Sequence, residues 1–324
     1  MNGKIIGIGV QKGGVGKSTT SNFISYELAE RGHNVILVDL DPQATQTGSF
    51  FGFRIKGGFK GENISNITNI FSNKEIVPLR IETDKYVDNP EKNKMGESHY
   101  NKVKMKIDFI PSNEDLLDVL ESDELNKEKK IKIIVDFLTD LKSKYDFVIV
   151  DCPPSFGIVT TAVLKVASKL IVPIATKNVD TEGLTGFFDR MDNIYLKDNF
   201  NIEKIIIMPN MYDKRVNDSK QTLGQDINQI PNMLQCKTNL RFIKSVVTEP
   251  LPQNSAIQEA PSYNMFLVPF IMEYSRSKNS NILLIIKNIV NELLIDAINA
   301  SKITYKKGIV GSYILGDYLQ KIFT

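Results

Sequence analysis

The sequence predicts an α/β protein whose doubly wound, mostly parallel sheet is flanked by helices. The apolar run Ile5–Val10 leads into a glycine-rich loop and then into a helical pattern. Further apolar segments, rich in β-branched residues, recur along the chain with helical patterns between them. Such segments are expected of strands covered by helices on both faces, and their alternation with helices indicates parallel strands joined by right-handed crossovers.

Each further element is predicted from hydrophobic periodicity and from start and stop residues. The first helix begins at Lys17 and ends at Arg31, because Gly32 favours the left-handed conformation that terminates helices. The other predicted strands are Asn34–Asp41, Lys106–Asn113 (ending in a turn), Tyr145–Cys152, Lys169–Pro173 and Lys204–Met208. The other predicted helices are Glu128–Lys144, Thr160–Ala167, Thr185–Leu196 and Asn281–Ala300.

Composition narrows the class of protein. The 324 residues are 42% hydrophobic, enough for one large α/β domain. Cys152 and Cys236 are too few and too far apart for a disulfide scaffold or a four-ligand zinc site, which fits a reducing cytoplasm. No run of about 18 apolar residues occurs, so we expect neither a transmembrane helix nor a signal peptide. The net charge of +2 is small, so nucleic-acid binding would need a local basic patch.

The segment Gln11–Thr20 has the composition of a phosphate-binding loop between a strand and a helix. Its glycines allow a tight turn that gathers backbone N–H groups at the helix N-terminus, where an anionic polyphosphate is stabilised. Lys17 is then expected on the β- and γ-phosphates of ATP, and the Ser18 hydroxyl on Mg²⁺. The predicted nucleotide-binding residues of this loop are Lys12, Gly13, Gly14, Val15, Gly16, Lys17, Ser18 and Thr19.

The loop departs from the commonest phosphate-loop pattern, because Gln11 stands where that pattern has its first glycine. Instead, Lys12 places a second lysine near the start of the loop. The segment resembles the deviant phosphate loop of the ParA/MinD/Soj ATPase family. There the early lysine reaches into the nucleotide of the partner subunit when two monomers close face to face. The resemblance implies that role for Lys12 and a catalytic role for both lysines.

Two aspartates stand at the carboxyl end of the second predicted strand, the edge at which open parallel sheets bind ligands. From the residues alone, an aspartate here either orients a metal or water or caps a helix. Val38–Gln43 resembles the second signature of the ParA family, whose second aspartate positions the attacking water. The resemblance implies that Asp41 is catalytic and part of the metal site, and that Asp39 supports the magnesium shell or the loop.

Asp151 lies at the carboxyl end of the fourth predicted strand, Tyr145–Cys152, and Pro153 and Pro154 follow this strand. By pattern this is a Walker B strand, in which the acid holds Mg²⁺ through a water opposite Ser18. Cys152 is predicted to be a small core residue. The phosphate loop, the strand with Asp39 and Asp41 and the strand with Asp151 occur in the same order as in the ParA family. Three such matches identify the family more specifically than one.

Two later segments resemble the base-side loops of the family. Pro209–Arg215 follows a strand, and Leu251–Asn254 and Gln258–Pro261 resemble its Ile-Pro-Arg-Asn and Ser-Glu-Ala-Pro segments. The resemblance implies that Met211, Pro252 and Asn254 line the adenine pocket.

The sequence predicts one ATPase domain over residues 1–300, with a surface insertion at about 52–106. Within the insertion, the polar, lysine-rich segment Thr83–Lys106 is predicted to be a mobile solvated loop, with an arm that contacts DNA or a partner as the alternative. Residues 301–324 form an extension, in which Ile309–Phe323 predicts an amphipathic helix. We expect it to pack on the domain or a partner, because it lacks the basic face of a membrane-surface helix such as the one that ends MinD.

The resemblance implies a ParA-type DNA partition ATPase, cytoplasmic and nucleoid-associated. It would form an ATP-bound homodimer that binds DNA without sequence preference, with a ParB-like centromere-binding partner stimulating hydrolysis. Neither His33 nor His99 lies near a motif, so we expect slow intrinsic turnover. The main alternative is a MinD-like membrane-cycling ATPase; a metabolic phosphate-loop enzyme is a third.

In this family the DNA surface is basic and assembled by dimerisation. The candidate contacts are Arg241 and Lys244, with Lys214 and Arg215 as weaker candidates. A surface lysine or arginine is more often simply solvated.

Overall fold

A computed structural model describes residues 3–9, 12–51, 64–88, 100–177, 181–198, 200 and 202–295. Within these residues a single sheet is built from strands of four to eleven residues. The strands are β1 (Lys4–Ile8), β2 (Val35–Asp39), β3 (Leu79–Asp88), β4 (Tyr100–Ile110), β5 (Phe147–Asp151), β6 (Lys169–Ala175), β7 (Lys204–Asn210) and β8 (Lys244–Val247). Their spatial order is β3-β4-β2-β5-β1-β6-β7-β8.

Helices connect the strands and cover both faces of the sheet. The longer helices are α1 (Lys17–Glu30), α4 (Lys127–Lys144), α5 (Ile158–Val166), α6 (Thr181–Asp198) and α11 (Arg276–Leu294). The shorter α-helices are α2 (Thr45–Phe51), α3 (Asp115–Glu121), α7 (Asn217–Gln221), α8 (Ile230–Gln235), α9 (Ser255–Glu259) and α10 (Leu267–Phe270). Short 3-10 turns lie at Ile67–Ser72, Ile227–Gln229, Leu240–Phe242 and Ala260–Tyr263, and π-turns at Thr222–Asp226 and Ile271–Ser275.

The predicted doubly wound α/β fold is confirmed. The chain starts near the centre with β1, places β2 to β5 on one side of it and β6 to β8 on the other, and every neighbouring pair except β3–β4 is parallel. In the register, Asp151 of β5 lies beside Ile8 of β1 and beside Asp39 of β2. The carboxyl ends of β1, β2 and β5 therefore meet at one edge, immediately before the loops that carry the candidate site.

The core is divided by the alternation of side chains along the strands. In β1, Ile6 and Ile8 pack with α1 and α11 on one face, whereas Ile5 packs with α4 and α5 on the other. A third cluster, including Leu170 and Ile205, packs with α6 and α8 beside the second on the same face. This two-sided burial explains why the central strands read as continuous apolar runs.

Helix α1 matches its predicted bounds to one residue, with Gly32 in the left-handed region at φ +90°. Helix α4 also matches, and its apolar face at Ile131, Ile134 and Leu138 is buried. The edge strand β8 and the short helices before it were not predicted, because that segment has few long periodic runs.

The predicted solvated loop at Thr83–Lys106 is wrong at both of its ends. Strands β3 and β4 form a long antiparallel hairpin that extends the sheet at its edge. Its polar residues are paired directly across the strands: Arg80 with Asp108 (2.9 Å), Glu82 with Lys106 (3.4 Å) and Asp84 with Lys104 (2.7 Å). Composition suggested solvation, but the charges alternate with residues such as Ile81 and Met105 that pack on the core. Cross-strand pairs of opposite charge favour this register.

Other predictions fall outside the described residues, namely the amphipathic helix Ile309–Phe323, the parts of the insertion at 52–63 and 89–99, and Gln11. The division into one domain and an extension stays a prediction. Among the helices that the structure describes, none is long and apolar enough to cross a membrane.

Candidate nucleotide-binding site

The glycine loop lies between the carboxyl end of β1 and the N-terminus of α1. Gly14 and Gly16 have φ angles of +70° and +91°, a region that favours glycine. Lys17 is 7% exposed, and its ammonium group donates a hydrogen bond to the carbonyl of Lys12 at 3.0 Å. The Thr20 hydroxyl donates to the Gly16 carbonyl at 2.7 Å. These hydrogen bonds within the segment fix the shape of the loop. They leave the buried Lys17 ammonium group at the N-terminus of a helix, where a bound anion is favoured.

Asp39 holds the backbone that follows β2. Its Oδ1 accepts from the Asp41 N–H at 3.1 Å, while its Oδ2 accepts from the N–H (2.9 Å) and the hydroxyl (2.7 Å) of Thr47. The Thr47 hydroxyl oxygen in turn accepts from the Ser112 N–H at 2.9 Å. Of the two roles expected for Asp39, support of the loop is the one that these contacts perform.

Asp41 lies just beyond β2 and is 7% exposed. Its Oδ1 accepts from the Gln43 N–H at 3.0 Å. Burial raises the pKa of the Asp41 carboxyl, while the Gln43 hydrogen bond and the positive charge of Lys17 act in the opposite direction. Asp41 is therefore a buried carboxylate fixed at the edge of the phosphate loop, and Lys17 is close enough for its positive charge to lower the pKa of that carboxyl.

Asp151 is a buried carboxylate of the site that lacks hydrogen-bond partners within the described part of the chain. It is 1% exposed, and among the residues that the structure describes neither of its carboxylate oxygens has a hydrogen-bond partner. Burial and the charge of Asp39 raise its pKa well above the ordinary value, whereas the nearby Ser18 hydroxyl, which does not meet the geometry of a hydrogen bond, and the positive charge of Lys17 oppose this. A buried carboxylate without a partner is costly, so such a group points to a missing ligand.

These residues fit Mg²⁺ and a polyphosphate. Magnesium prefers oxygen ligands and is commonly held by one or two carboxylates together with substrate phosphates. Asp151 supplies free carboxylate oxygens next to the Ser18 hydroxyl, and Lys17 supplies the balancing positive charge. The residues that could hold the metal are thus those predicted from the sequence, Ser18 and Asp151, with Asp41 beside them.

The three residues predicted for the adenine pocket lie on two adjoining segments. A parallel bridge joins Tyr212 to Pro252, so Met211 and Pro252 are next to the same junction. Met211 is a non-glycine residue with φ +56°, an uncommon backbone conformation. The Asn254 side chain accepts from the Ala256 N–H at 2.8 Å as the N-cap of α9. This oxygen therefore has a structural role, and the pocket itself stays a prediction.

The candidate DNA contacts lie at opposite ends of the sheet. Lys244 begins β8 and is paired with Lys204 at the amino end of β7, whereas Lys214 and Arg215 follow the carboxyl end of that strand. A seven-residue strand separates these ends by about 20 Å. Arg215 is paired with Asp213 at 3.0 Å, while the Arg241 guanidinium lies 4.7 Å from the centre of the Phe242 ring. The two pairs are separate surfaces rather than one patch.

Sequence reasoning missed three residues that support the site, namely Thr47, Ser112 and Asn210. Asn210 is 3% exposed at the end of β7, and its Nδ2 donates to the Val15 carbonyl of the phosphate loop at 2.7 Å. A polar amide directly after an apolar parallel strand was the available signal. Thr47 and Ser112 had no comparable signal, because their contact joins residues 65 apart in sequence.

Two curated relatives share most of their length with this chain. The chromosome partitioning protein ParA of Myxococcus xanthus is 27% identical over 278 residues, covering 85% of this chain and 83% of that protein. The sporulation initiation inhibitor protein Soj of Bacillus subtilis is 28% identical over 296 residues, covering 87% and 96% respectively.

Solved structures share the fold. Cobyrinic acid a,c-diamide synthase from Mycobacterium smegmatis, with bound ADP and magnesium, has a TM-score of 0.56 at 22% identity, covering 85% of this chain and 97% of that one. A Borrelia burgdorferi B31 protein assigned to plasmid partition, bound to AMPPNP, has a TM-score of 0.57 at 20% identity, covering 90% and 99%.

A family model described as an AAA domain matches residues 3–204, more than half of the chain. The match includes the phosphate loop and both aspartate-bearing strands. The resemblance inferred from the motifs is thereby confirmed. The chain belongs to the AAA-domain family, with ParA and Soj proteins among its relatives.

Proposed function

We propose that this protein is a Mg²⁺-dependent ATPase of the ParA type that acts in DNA partition, cytoplasmic and associated with the nucleoid. The observation that carries the proposal is the convergence of Lys17, Asp41 and Asp151 at the ends of three adjacent parallel strands. The ParA and Soj relatives support the biological role, since the match extends over most of each protein. The folds that hold ADP with magnesium or AMPPNP support the choice of ligand.

In the proposed mechanism, positioning and charge neutralisation lower the barrier to phosphoryl transfer. Lys17 and the N–H groups of the glycine loop bind the phosphates. Ser18 and Asp151 would hold Mg²⁺, which would supply positive charge against the negative charge that develops on the β- and γ-phosphates. Asp41 orients the attacking water. Asp41 is itself held in place, because its N–H donates to Asp39 and its carboxylate accepts from the Gln43 N–H.

The proposal includes an ATP-bound homodimer in which Lys12 contacts the nucleotide of the partner subunit. Lys12 lies at the start of the loop, where its backbone carbonyl accepts a hydrogen bond from the Lys17 ammonium group. Lys12→Ala should leave nucleotide binding by the monomer largely intact and weaken both ATP-driven dimerisation and hydrolysis. Mixing Lys12→Ala with Asp41→Ala, each inactive alone, should restore activity in mixed dimers. No recovery despite proven subunit exchange would contradict the assignment in trans.

The nucleotide site is tested by binding and turnover of a fluorescent ATP analogue. Lys17→Ala should abolish binding, because a charged phosphate contact is lost. Asp41→Ala should retain binding, fail to hydrolyse ATP and accumulate a dimer visible by size-exclusion chromatography. Normal affinity in the first variant, or wild-type turnover in the second, would overturn the assigned roles.

The biological role is tested by sedimentation with ATP, using DNA of unrelated sequences in one arm and anionic liposomes in the other. A ParA-type protein should bind every DNA, and the affinity should fall steeply with salt as counterions are released. Binding to liposomes alone would favour the MinD-like alternative, and binding to neither would favour a metabolic phosphate-loop enzyme. A ParB-like partner should then raise ATP turnover.

The DNA surface is proposed at Arg241 and Lys244, at the amino end of edge strand β8. Changing both to alanine should lower DNA affinity and the salt slope while ATP-driven dimerisation is retained. Changing Lys214 and Arg215 is the matched comparison at the opposite end of the sheet. If only the second pair alters the slope, the DNA surface lies on the nucleotide side.

A further inference from the structure

We infer that Asn210 is a positioning residue that holds the phosphate loop in its anion-binding orientation and links it to the base-side segment. The inference rests on the proposed function. Asn210 ends β7, far along the chain from the loop, and its side chain is almost fully buried between the two. Its amide nitrogen donates to the Val15 carbonyl at 2.7 Å, and its amide oxygen accepts from the Met211 N–H at 2.8 Å.

The bond to Val15 fixes the orientation of one peptide plane. A trans peptide directs its C=O and N–H to opposite sides. Because Asn210 holds the Val15 carbonyl, the N–H of Gly16 in the same plane points away from Asn210. A flip of this plane would break the bond and exchange the positions of donor and acceptor. An acceptor turned towards phosphate oxygens would repel them, so the bond favours the loop that binds an anion.

Gly16 confirms how tightly the two segments meet. A Cβ atom at this position would lie 2.2 Å from the Asn210 Nδ2, a distance that no side chain could occupy without displacing the amide. The φ angle of +91° also favours glycine here. The glycine thus serves two requirements at once, the turn of the loop and room for the Asn210 amide.

The other side of Asn210 is fixed as well. Its carbonyl accepts from the Thr176 N–H at 2.9 Å, and the Thr176 hydroxyl donates to the Met211 carbonyl at 3.2 Å. Thr176 is fully buried at the end of β6, so the uncommon φ of Met211 is supported from both sides. A chain of hydrogen bonds therefore runs from the ends of β6 and β7 through Asn210 to Val15. It fixes the position of the phosphate loop relative to the segment predicted to contact adenine.

The test separates a loop-positioning role from a direct contact with the base. Affinities for ADP and for inorganic pyrophosphate are measured in competition with a fluorescent ADP, for wild type and for Asn210→Ala. If Asn210 positions the loop, both ligands should weaken by the same factor, about tenfold. If Asn210 acts as a wall of the base pocket, only ADP should weaken, and the inference is wrong. Unchanged affinities for both ligands would also overturn it.

Asn22→Ala is the matched control for loss of a buried asparagine. Asn22 is 7% exposed on α1 and accepts from the Leu267 N–H at 2.8 Å, away from the loop. It should lower thermal stability without changing either affinity. Asn210→Ser, with a shorter polar side chain that cannot span to Val15, repeats the test should the alanine variant fold poorly. If the wild-type protein binds neither ligand, the proposed function itself is refuted. If the wild type binds both ligands, Lys17→Ala loses them and both Asn210 variants keep wild-type affinity, only this inference is refuted.

Discussion

Asp39 and Asp151 are register partners on adjacent strands, and both are almost completely buried, at 0% and 1% exposed. Asp39 accepts three hydrogen bonds, from the Asp41 backbone and from two groups of Thr47. Asp151 accepts none from the residues that the structure describes. Two aspartates in equivalent positions of the sheet therefore differ: Asp39 anchors the neighbouring backbone, whereas Asp151 is left unsatisfied by the described residues and is proposed as the metal ligand.

The difference shows that burial and charge do not by themselves identify a metal ligand. A buried carboxylate that is fully hydrogen-bonded stabilises the fold, whereas one without partners destabilises it unless something binds. The Asp39 contacts also fix Asp41, so the anchor supports the group proposed to orient water. Substitutions at the two positions should accordingly have opposite effects on the free energy of unfolding.

The largest effect is expected from Asp151→Asn. Loss of the proposed magnesium ligand should lower ATP hydrolysis about 100-fold, equivalent to about 2.7 kcal/mol. The nucleotide-free protein should be as stable as wild type or more stable, because an unpaired buried charge is removed. Steady-state turnover and thermal unfolding measure the two quantities. A clear fall in the unfolding temperature would show that Asp151 has structural partners after all.

Asp39→Asn is the same substitution at the anchor and should have the opposite effect on stability. The amide presents donors where Thr47 and Asp41 also present donors, so we expect the free energy of unfolding to fall by about 2 kcal/mol. Urea denaturation measures it, with Asp151→Asn as the matched control. Equal stability of the two variants would remove the distinction between anchor and ligand.

Thr47→Val tests the anchor from its other side with a smaller effect. The change removes the hydroxyl between Asp39 and the Ser112 N–H and should cost about 1.5 kcal/mol of unfolding free energy. Thr139→Val, which removes an exposed hydroxyl bonded to its own helix at Val135, is the control and should be nearly neutral. A similar loss in both would mean that the change to valine, rather than the network, sets the cost.

The smallest effect is expected in the pH dependence of the stability difference between wild type and Asp151→Asn. Burial and the charge of Asp39 raise the pKa of Asp151 in the folded protein, so between the ordinary and the raised pKa the folded state binds more protons than the unfolded state. Wild-type stability at this group therefore falls as pH rises through that window. The stability advantage of Asp151→Asn should therefore grow as pH rises from the ordinary carboxyl pKa towards the raised pKa of Asp151. An advantage that shrinks with rising pH would contradict the direction of the shift.

The predictable part of the fold consists of its central strands and long helices. Helices α1 and α4 and strands β2 and β5 were found from periodicity and stop residues, because each is long or wholly apolar. Of the hairpin β3–β4, only the carboxyl end of β4 from Lys106 was predicted; the rest was missed, since its charges satisfy one another across strands and therefore resemble a solvated segment. The edge strand β8 has only four residues, too few for a periodic signal.

The sequence by itself determined the phosphate loop, because glycines and lysines at fixed local spacing after a strand define an anion site. It also determined the two aspartate-bearing strands, because each is an apolar run that ends in an acid. Only the tertiary structure decided which aspartate is satisfied and which is open, because Thr47 on α2 donates to Asp39 and is itself held by the Ser112 N–H just beyond β4. The same holds for Asn210, whose contact with Val15 joins residues 195 apart. Hydrogen bonds of such long range depend on how strands are ordered in the sheet, and no local pattern of residues encodes that order.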